Sequence, residues 1–264
     1  MNPQQMAPPM YQQQPAWLHH ANKRTPFRTL VLAEFRKLVG TTADRILLVA
    51  APIVLVLLSV WIMSDLHDPY TMVKQIGTVT FAIRLSPLLV HLALVKLIAG
   101  EWHYRSVQPT LLVQPSRIRY LLAQSTVALI AWLVCAALNV LLTFSLLPGF
   151  LETRDAESLL GFRTGWVIGV CVLGSFSLTL IALAVGLLVP NTAGALSTYF
   201  VLALGFVILR SSLDAVAWVD PSEPMMALAG QSLPDNLLPV VTSGVLWLAL
   251  LVVGVVRGLR RDAV

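Results

Sequence analysis

The sequence predicts an all-α integral membrane protein with six transmembrane helices. Composition is the first reason: 57% of the 264 residues are hydrophobic, 12% are charged, and the mean hydropathy is +0.78. A soluble domain cannot bury this much apolar surface. The second reason is a series of apolar runs of about 20 residues, the length that a helix needs to cross a bilayer. The spans are predicted to be helical because lipid offers no partner to unpaired backbone groups, and no dyad alternation indicates a β-barrel.

The six runs form one transmembrane domain over residues 23–264. A Pro- and Gln-rich segment, residues 1–22, precedes it and is expected to be a disordered cytoplasmic tail without a signal peptide. Pro190–Asn191 predicts a tight turn between the fourth and fifth runs. The predicted spans are residues 46–63, 79–99, 121–147, 164–188, 193–209 and 237–256.

The positive charges predict that both ends of the chain lie in the cytoplasm. With the N-terminus inside, the inner segments contain twelve Lys and Arg residues and the outer segments contain four. The positive-inside rule favours this orientation. The inner residues are Lys23, Arg24, Arg28, Arg36, Lys37, Arg45, Arg105, Arg117, Arg119, Arg257, Arg260 and Arg261, and the outer residues are Lys74, Arg154, Arg163 and Arg210.

Two segments outside the spans are predicted to contain helices at the membrane surface. In residues 26–41, apolar side chains recur at helical spacing and the charged side chains are expected to avoid that stripe, which indicates an amphipathic helix in the headgroup layer. A cytoplasmic helix packed on a partner is the alternative. Residues 210–236 are half apolar and are expected to form short helices that dip into the outer interface. The stripe consists of Phe27, Val31, Phe35 and Leu38, and the charged residues are Arg28, Glu34, Arg36 and Lys37.

The second span is interrupted by three basic side chains, Arg84, His91 and Lys96, and by Pro87, which is expected to kink it. We expect Arg84 and Lys96 to snorkel to opposite headgroup layers. His91 shares a helix face with Arg84, lies near mid-depth and is expected to face other helices or a cavity. Two alternatives stay open for His91: a polar point on a translocation path that includes Arg84, or a neutral packing residue with hydrogen-bond partners.

Small residues in the spans indicate packing. Gly161, Gly165 and Gly169 are spaced four apart, which permits close contact between helices, within the chain or at a dimer seam. Cys135 and Cys171 fall inside apolar runs and are expected to be buried packing residues rather than ligands or disulfide partners.

No motif of a catalytic or nucleotide-binding site occurs in the sequence. The Walker A, HExxH and GxSxG patterns are absent, and the DLHD tetrapeptide at residues 65–68 is expected to be a solvated loop rather than a metal site. No Asp or Glu lies inside a predicted span, which disfavours an ion-coupled carrier. We therefore expect a non-catalytic protein without a metal site and, despite the net charge of +5, without a nucleic-acid partner.

Two stretches carry a resemblance to a known family. The sequence EFRKLVGTTADRILLVAAP leads from the amphipathic helix into the first span, and GEWHYRSVQPTLLVQPSRIRYLLAQ, residues 100–124, joins the second span to the third. With the six spans, they resemble the permease subunits of type-two (ABC-2) ATP-binding-cassette transporters, especially the small permeases of actinobacteria. The resemblance extends from about residue 26 to the end of the chain. It is broken at Ser106–Val107, where the family has a Gly–Thr pair.

The resemblance implies that the connection between spans two and three forms a cytoplasmic coupling helix that docks on a separate ATPase subunit. The amphipathic helix would contact the same subunit. Glu101 would hold the base of the connection, the prolines would fix its ends, and the arginines would pair with acidic groups of the ATPase. The coupling residues that it implies are Glu101, Arg105, Pro115, Ser116, Arg117, Arg119, Glu34, Arg36 and Lys37.

The resemblance also implies a non-catalytic subunit of an exporter in the bacterial plasma membrane. A dimer of ATPase subunits would bind ATP and Mg²⁺, this chain would bind no cofactor, and a second permease subunit, identical or homologous, would complete the path. The family's usual substrates are lipidic, peptide or drug-like molecules. Two other functions stay open: a non-transporting scaffold or sensor that recruits a cytoplasmic partner, and an ion-coupled carrier.

Overall fold

The computed structural model describes residues 25–65, 69–104, 116–210, 212–232 and 237–260, and the predicted tail, residues 1–22, lies outside them. Every regular element in these ranges is helical, so the all-α prediction is confirmed for the described part of the chain. The α-helices are α1 (Phe27–Leu38), α2 (Thr42–Ser64), α3 (Met72–Leu85), α4 (Leu88–His103), α5 (Arg117–Glu152), α6 (Thr164–Leu188), α7 (Thr192–Arg210), α8 (Glu223–Leu228) and α9 (Leu238–Arg260), and two 3₁₀ helices cover Leu159–Arg163 and Asp214–Trp218.

Six helical stretches of the described residues are long and apolar enough to cross a membrane. Each overlaps one predicted run, so the number and positions of the candidate spans are confirmed. The predicted orientation, with both ends in the cytoplasm, stays a prediction. The stretches are Thr42–Ser64, Met72–His103, Arg117–Glu152, Leu159–Leu188, Thr192–Arg210 and Leu238–Arg260.

The second span is broken into α3 and α4 at Ser86–Pro87, where the sequence predicted a kink. Proline has no backbone N–H and disrupts a continuous helix, so α3 ends at Leu85 and α4 restarts at Leu88. The Ser86 hydroxyl donates a hydrogen bond of 3.1 Å to Asn139 Oδ1 on α5. This bond gives a polar group at the break a partner inside the bundle.

Helix α6 is the centre of the bundle. It packs against α3, α4, α5, α7, α8 and α9, and most of its residues from Gly174 to Leu187 are buried. Small residues on α6 allow this close packing. At Gly186, an added Cβ would lie 3.2 Å from Ile98 Cβ on α4. The helices around α6 expose many large apolar side chains, as expected for surfaces that face lipid.

The connection between α7 and α9 folds back onto the bundle. It contains the 3₁₀ helix Asp214–Trp218 and α8, which confirms the prediction of short helices in residues 210–236. Helix α8 packs on α6 and α9, and its Met225 is fully buried. A Cβ added at Gly174 of α6 would lie 2.2 Å from Met225 Sδ. The glycine therefore provides the space that the methionine fills.

Helix α1 forms where the amphipathic helix was predicted, and it packs on α5 and α4. Phe27 and Phe35 are exposed and Leu38 is buried. The prediction that Glu34 avoids the apolar face was wrong, because Glu34 is only 2% exposed and points into the bundle. At 100° per residue, Glu34 lies beside Leu38 on the same helix face.

The glycine repeat at residues 161–169 extends from the 3₁₀ helix Leu159–Arg163 into α6, and it does not produce an unusually close helix contact within the described part of the chain. Gly161 and Gly165 have open space where a Cβ would stand, and at Gly169 the nearest atom, Leu228 Cδ2, is at an ordinary contact distance of 3.7 Å. A role at a dimer seam stays a prediction. Cys135 and Cys171 are both buried and free, as predicted.

Substitution of Gly174 by valine is expected to destabilise the bundle. The new side chain would collide with Met225 and with Ile83 Cγ2, which lies 2.9 Å from the Cβ position. Overpacking of this kind reduces the free energy of unfolding by about 1–3 kcal/mol. Thermal unfolding of the purified protein in detergent measures the effect. The matched control is Gly205→Val in α7, where nothing lies within 4 Å; equal unfolding temperatures for both variants would contradict the close packing of α6 and α8.

Candidate functional site

The candidate site is a group of five charged residues at the end of the bundle where α1, the start of α2, the end of α4 and the start of α5 meet. We call it the charge cluster; it consists of Glu34, Lys37, Asp44, Lys96 and Glu101. The cluster contains three of the predicted coupling residues, which come from two segments far apart in the sequence. The fold therefore brings the amphipathic helix and the start of the predicted coupling connection into direct contact.

Lys37 joins α1 to α4. Its Nζ lies 2.6 Å from Glu34 Oε1 and also forms an ion pair with Glu101. Glu101 is 5% exposed, and its Oε2 accepts a hydrogen bond of 3.2 Å from Gln124 Nε2 on α5. The Lys37 ammonium also lies 5.7 Å from the centre of the Tyr120 ring of α5, within the range of a cation–π contact. One lysine thus connects three helices.

The pKa of Lys37 is raised above its ordinary value of 10.5. Burial favours the neutral amine, but the charges of Glu101 and Glu34 and their hydrogen bonds to Nζ outweigh it. Because the folded-state pKa is the higher one, the Lys37 ammonium contributes its full stability below pH 10.5 while its carboxylate partners are ionised, and this contribution is lost as the pH rises through the folded-state pKa. Lys37 is therefore charged at neutral pH.

A second ion pair joins α2 to α4. Asp44 belongs to a capping box at the start of α2, in which Thr41 Oγ1 donates to Asp44 Oδ2 at 2.6 Å and accepts from the Asp44 N–H at 3.2 Å. Its other oxygen pairs with Lys96. The predicted snorkelling of Lys96 did not identify this partner. Asp44 therefore caps one helix and holds another.

The other predicted coupling residues are distributed around the start of α5. Ser116 caps α5 by accepting a bond of 3.5 Å from the Arg119 N–H. The Arg119 guanidinium donates to the Thr25 carbonyl at 2.7 Å, just before α1, and Arg117 donates to the Leu259 carbonyl at 3.0 Å, near the end of α9. Both arginines thus tie α5 to other parts of the bundle.

Of the remaining predicted coupling residues, only Arg36 is among those that the structure describes. Arg36 is exposed on α1. Arg105 and Pro115, together with the rest of the predicted coupling helix, lie outside the described residues.

His91 is buried in the middle of the bundle with both ring nitrogens in hydrogen bonds. Nδ1 lies 2.8 Å from the Tyr199 hydroxyl on α7, and Nε2 lies 3.1 Å from Thr179 Oγ1 on α6. The Thr179 hydroxyl donates its one proton to the Ser175 carbonyl at 2.8 Å, so it must accept from Nε2–H. Nδ1 of the neutral ring then accepts from Tyr199. This geometry agrees with the packing alternative, and a role of His91 on a translocation path stays a prediction.

Arg84 does not snorkel, and that prediction was wrong. It is 7% exposed and lies 2.5 Å from Asp220 Oδ2, and it also donates to the Phe206 carbonyl at 3.1 Å. Asp220 in turn accepts from the N–H and the hydroxyl of Ser222, at 2.9 and 2.7 Å. The arginine can remain buried because the segment before α8 folds back and brings a carboxylate to it.

A second buried pair lies beside the first. Arg210 Nε, at the end of α7, lies 3.3 Å from Glu223 Oε2, whose side chain is 1% exposed. Burial raises the pKa of Glu223, the charge of Arg210 lowers it, and the nearby Asp220 raises it again, with a raised pKa as the net result. Two arginines and two carboxylates therefore hold the segment around α8 against α3 and α7.

Sequence reasoning missed Asp44, Asp220 and Glu223 as acidic partners, and it predicted Glu101 as a coupling residue without identifying its pairing with Lys37. Asp44 and Glu101 lie in the first and last turns of helices that extend beyond the predicted spans 46–63 and 79–99. Acids are thus present in the span helices, which weakens the argument against an ion-coupled carrier. The available signal was the basic residues themselves, because a buried arginine or lysine in a span requires an acidic partner.

Removal of the Lys37 charge is expected to destabilise α1 first. In Lys37→Gln, the buried carboxylates of Glu34 and Glu101 lose their shared cation, and hydrogen bonds to charged groups contribute about 1.5–3 kcal/mol each. Hydrogen exchange should become faster in α1 while the centre of α6 stays protected. Arg28→Gln, at an exposed position of the same helix, is the control; the same exchange pattern in both variants would refute the anchoring role of Lys37.

Removal of one charge of the Arg84–Asp220 pair is expected to reduce the stability of the protein more than removal of both charges. Arg84→Met leaves a buried carboxylate without its cation, and breaking a buried pair in this way costs about 3–5 kcal/mol of stability. Arg84→Met combined with Asp220→Asn removes both charges and should recover part of the loss in thermal unfolding. Lys74→Gln, an exposed cation on α3, controls for charge alone; a double variant as unstable as the sum of the singles would show that the two residues are not coupled.

No protein-family model, curated protein or solved structure matches this chain.

Proposed function

We propose that this chain is the membrane-spanning permease subunit of an ATP-binding-cassette exporter of the bacterial plasma membrane. In this proposal, the six candidate spans line half of a translocation path, and a second permease subunit supplies the other half. A separate dimer of ATPase subunits binds ATP and Mg²⁺ and drives the rearrangement of the two permeases. The substrate is a lipidic, peptide or drug-like molecule, as the resemblance to ABC-2 permeases implies.

The observation that carries the proposal is the charge cluster. Lys37 of α1 forms an ion pair with Glu101, which lies at the point where α4 leads into the connection to α5. The resemblance assigns contact with the ATPase to these two segments. Because an ion pair connects them, a force applied to one would be transmitted to the other and to α4.

The start of α5 supports the same interpretation. Arg119 is bonded to the chain just before α1, and Arg117 to the last turn of α9. Gln124 of α5 is bonded to Glu101. Side-chain hydrogen bonds thus connect the start of α5 to α4, to α9 and to the chain just before α1, which suits a unit that transmits movement as a rigid body.

The scaffold or sensor is the main competing function, since it would present the same surface to a soluble partner. It differs in the consequence of binding: a scaffold needs no ATP hydrolysis coupled to transport. An ion-coupled carrier would need no soluble partner. Biochemistry of the complex therefore separates the three.

Glu101→Gln is the sharpest test of the proposal. The chain is co-expressed with ATPase subunits encoded by neighbouring genes, the complex is reconstituted in nanodiscs, and ATP turnover is measured. The neutral amide should weaken the pairing with Lys37, and a loss of about 1.4 kcal/mol in coupling would lower turnover about tenfold. Glu152→Gln, at the exposed opposite end of α5, is the matched control and should behave as the unsubstituted protein.

Two results would contradict the proposal. If no ATPase co-purifies with the chain, the permease assignment fails. If an ATPase co-purifies and its turnover is the same in both variants, the coupling role of the charge cluster fails and the scaffold becomes the better explanation.

A further inference from the structure

A cavity of about 390 Å³ lies beside the charge cluster. It is bounded by the end of α1, the turn into α2, the first turn of α2 and the second half of α4. Lys37, Asp44, Lys96 and Glu101 line it. Its volume lies within the range of about 300–1,000 Å³ that is usual for small-molecule sites. The cavity is therefore large enough for a ligand and is rich in charge.

Lys96 and Asp44 retain capacity for further hydrogen bonds. The Lys96 side chain is 40% exposed, and among the described residues its hydrogen-bond partner is Asp44, so two of its three N–H donors are free for a ligand. The Asp44 carboxylate has about four acceptor positions. Among the described residues, Lys96 is the one hydrogen-bond donor to Asp44 Oδ1. This oxygen can therefore accept a further hydrogen bond from a ligand in the cavity.

The cavity lies where apolar and charged surfaces meet. Apolar side chains of Leu38, Ala93 and Leu97 form another part of its wall. On the protein surface near the cavity, Phe35 of α1 is 45% exposed. Ile46, in the first turns of α2 and of a candidate span, is 64% exposed. An exposed apolar surface beside paired charges at the start of a span is typical of the headgroup layer of a bilayer. The ligand most abundant at this depth is a phospholipid.

The balance of charge selects among phospholipids. Two lysines and two carboxylates line the cavity, so their formal charges cancel, and the buried Glu34 behind Lys37 adds a negative charge. These charges disfavour the binding of a headgroup with net negative charge and favour the binding of a zwitterionic headgroup. The carboxylates are acceptors for N–H groups, whereas a quaternary ammonium is bound by several aromatic rings. Among the described residues that line the cavity, Tyr104 is the one aromatic residue.

We propose that this cavity binds the headgroup of a zwitterionic phospholipid with a primary ammonium group, that is, a phosphatidylethanolamine. Lys96 donates to the phosphate, Asp44 accepts from the ammonium, and the acyl chains extend along Leu38 and Leu97. The bound lipid would span the gap between α1 and α4 and strengthen their contact. The proposal does not depend on transport or on an ATPase partner.

The test compares headgroups on the same protein. The full chain is purified in detergent and delipidated, and native mass spectrometry follows the binding of phosphatidylethanolamine, phosphatidylcholine and phosphatidylglycerol with identical acyl chains. Phosphatidylethanolamine should bind one site at least about tenfold more tightly than the other two, because one additional charge-assisted hydrogen bond accounts for such a difference. Similar affinity for all three lipids would overturn the proposal.

Variants locate the site. Asp44→Asn combined with Lys96→Gln removes one ion pair without leaving an unpaired charge, and it should abolish the tenfold preference. Ala93→Phe fills the apolar wall, keeps every charge and should lower the affinity for phosphatidylethanolamine to that for the other lipids. Arg28→Gln, on the same surface but away from the cavity, should retain the preference. An unchanged preference in both cavity variants would overturn the proposal.

Competition by a soluble headgroup tests whether the cavity binds a lipid or a free small molecule. Phosphoethanolamine lacks acyl chains and should compete only at concentrations at least about a hundredfold above those of the lipid, because it loses the apolar contacts of the chains with the protein. Equal affinity of phosphoethanolamine and the lipid would overturn the assignment of a lipid to this cavity. The headgroup comparison uses the unsubstituted protein, so it decides the proposal even if a variant fails to fold.

Discussion

The structure depends on the pairing of charges that the bilayer does not solvate. A charged side chain within a span is stable only with a partner, and this chain provides partners at both ends of the bundle. At one end, Lys37 and Lys96 neutralise Glu101 and Asp44; at the other, Arg84 neutralises Asp220. Each pair joins residues that are far apart in the sequence and belong to different parts of the fold. The same interactions that make the charges tolerable therefore fix how the helices lie against one another.

Between these two ends, packing rather than charge holds the bundle together. Apolar attraction between helices is weak in lipid, so close contact of backbones and interhelical hydrogen bonds replace it. Gly174 and Gly186 of α6 provide the close contact, and His91 provides bonds to both α6 and α7. The rigid middle leaves the two charged ends as the places where a change in pairing would alter the arrangement of helices.

The charge cluster is where the proposed function and the proposed lipid site meet. Lys37 lines the cavity and also joins α1 to Glu101, at the start of the connection that would contact an ATPase. A headgroup bound there would touch the same groups that would transmit movement. If both proposals hold, the composition of the membrane would influence coupling through the Lys37–Glu101 contact, because binding energy that favours one arrangement shifts the equilibrium towards it.

The sequence by itself determined the class of the protein, the six candidate spans and the break at Pro87. These follow from local properties: hydrophobicity over about 20 residues and the missing N–H of proline. It also identified Glu34, Lys37 and Glu101 as members of one site, although only through a resemblance to a family. Only the tertiary structure decided that Glu34 is buried, that Arg84 pairs with Asp220 and that Lys96 pairs with Asp44. Sequence periodicity indicates which residues share a helix face, but the partner of a buried charge belongs to another helix or connection, and the packing of these elements decides which residue lies opposite.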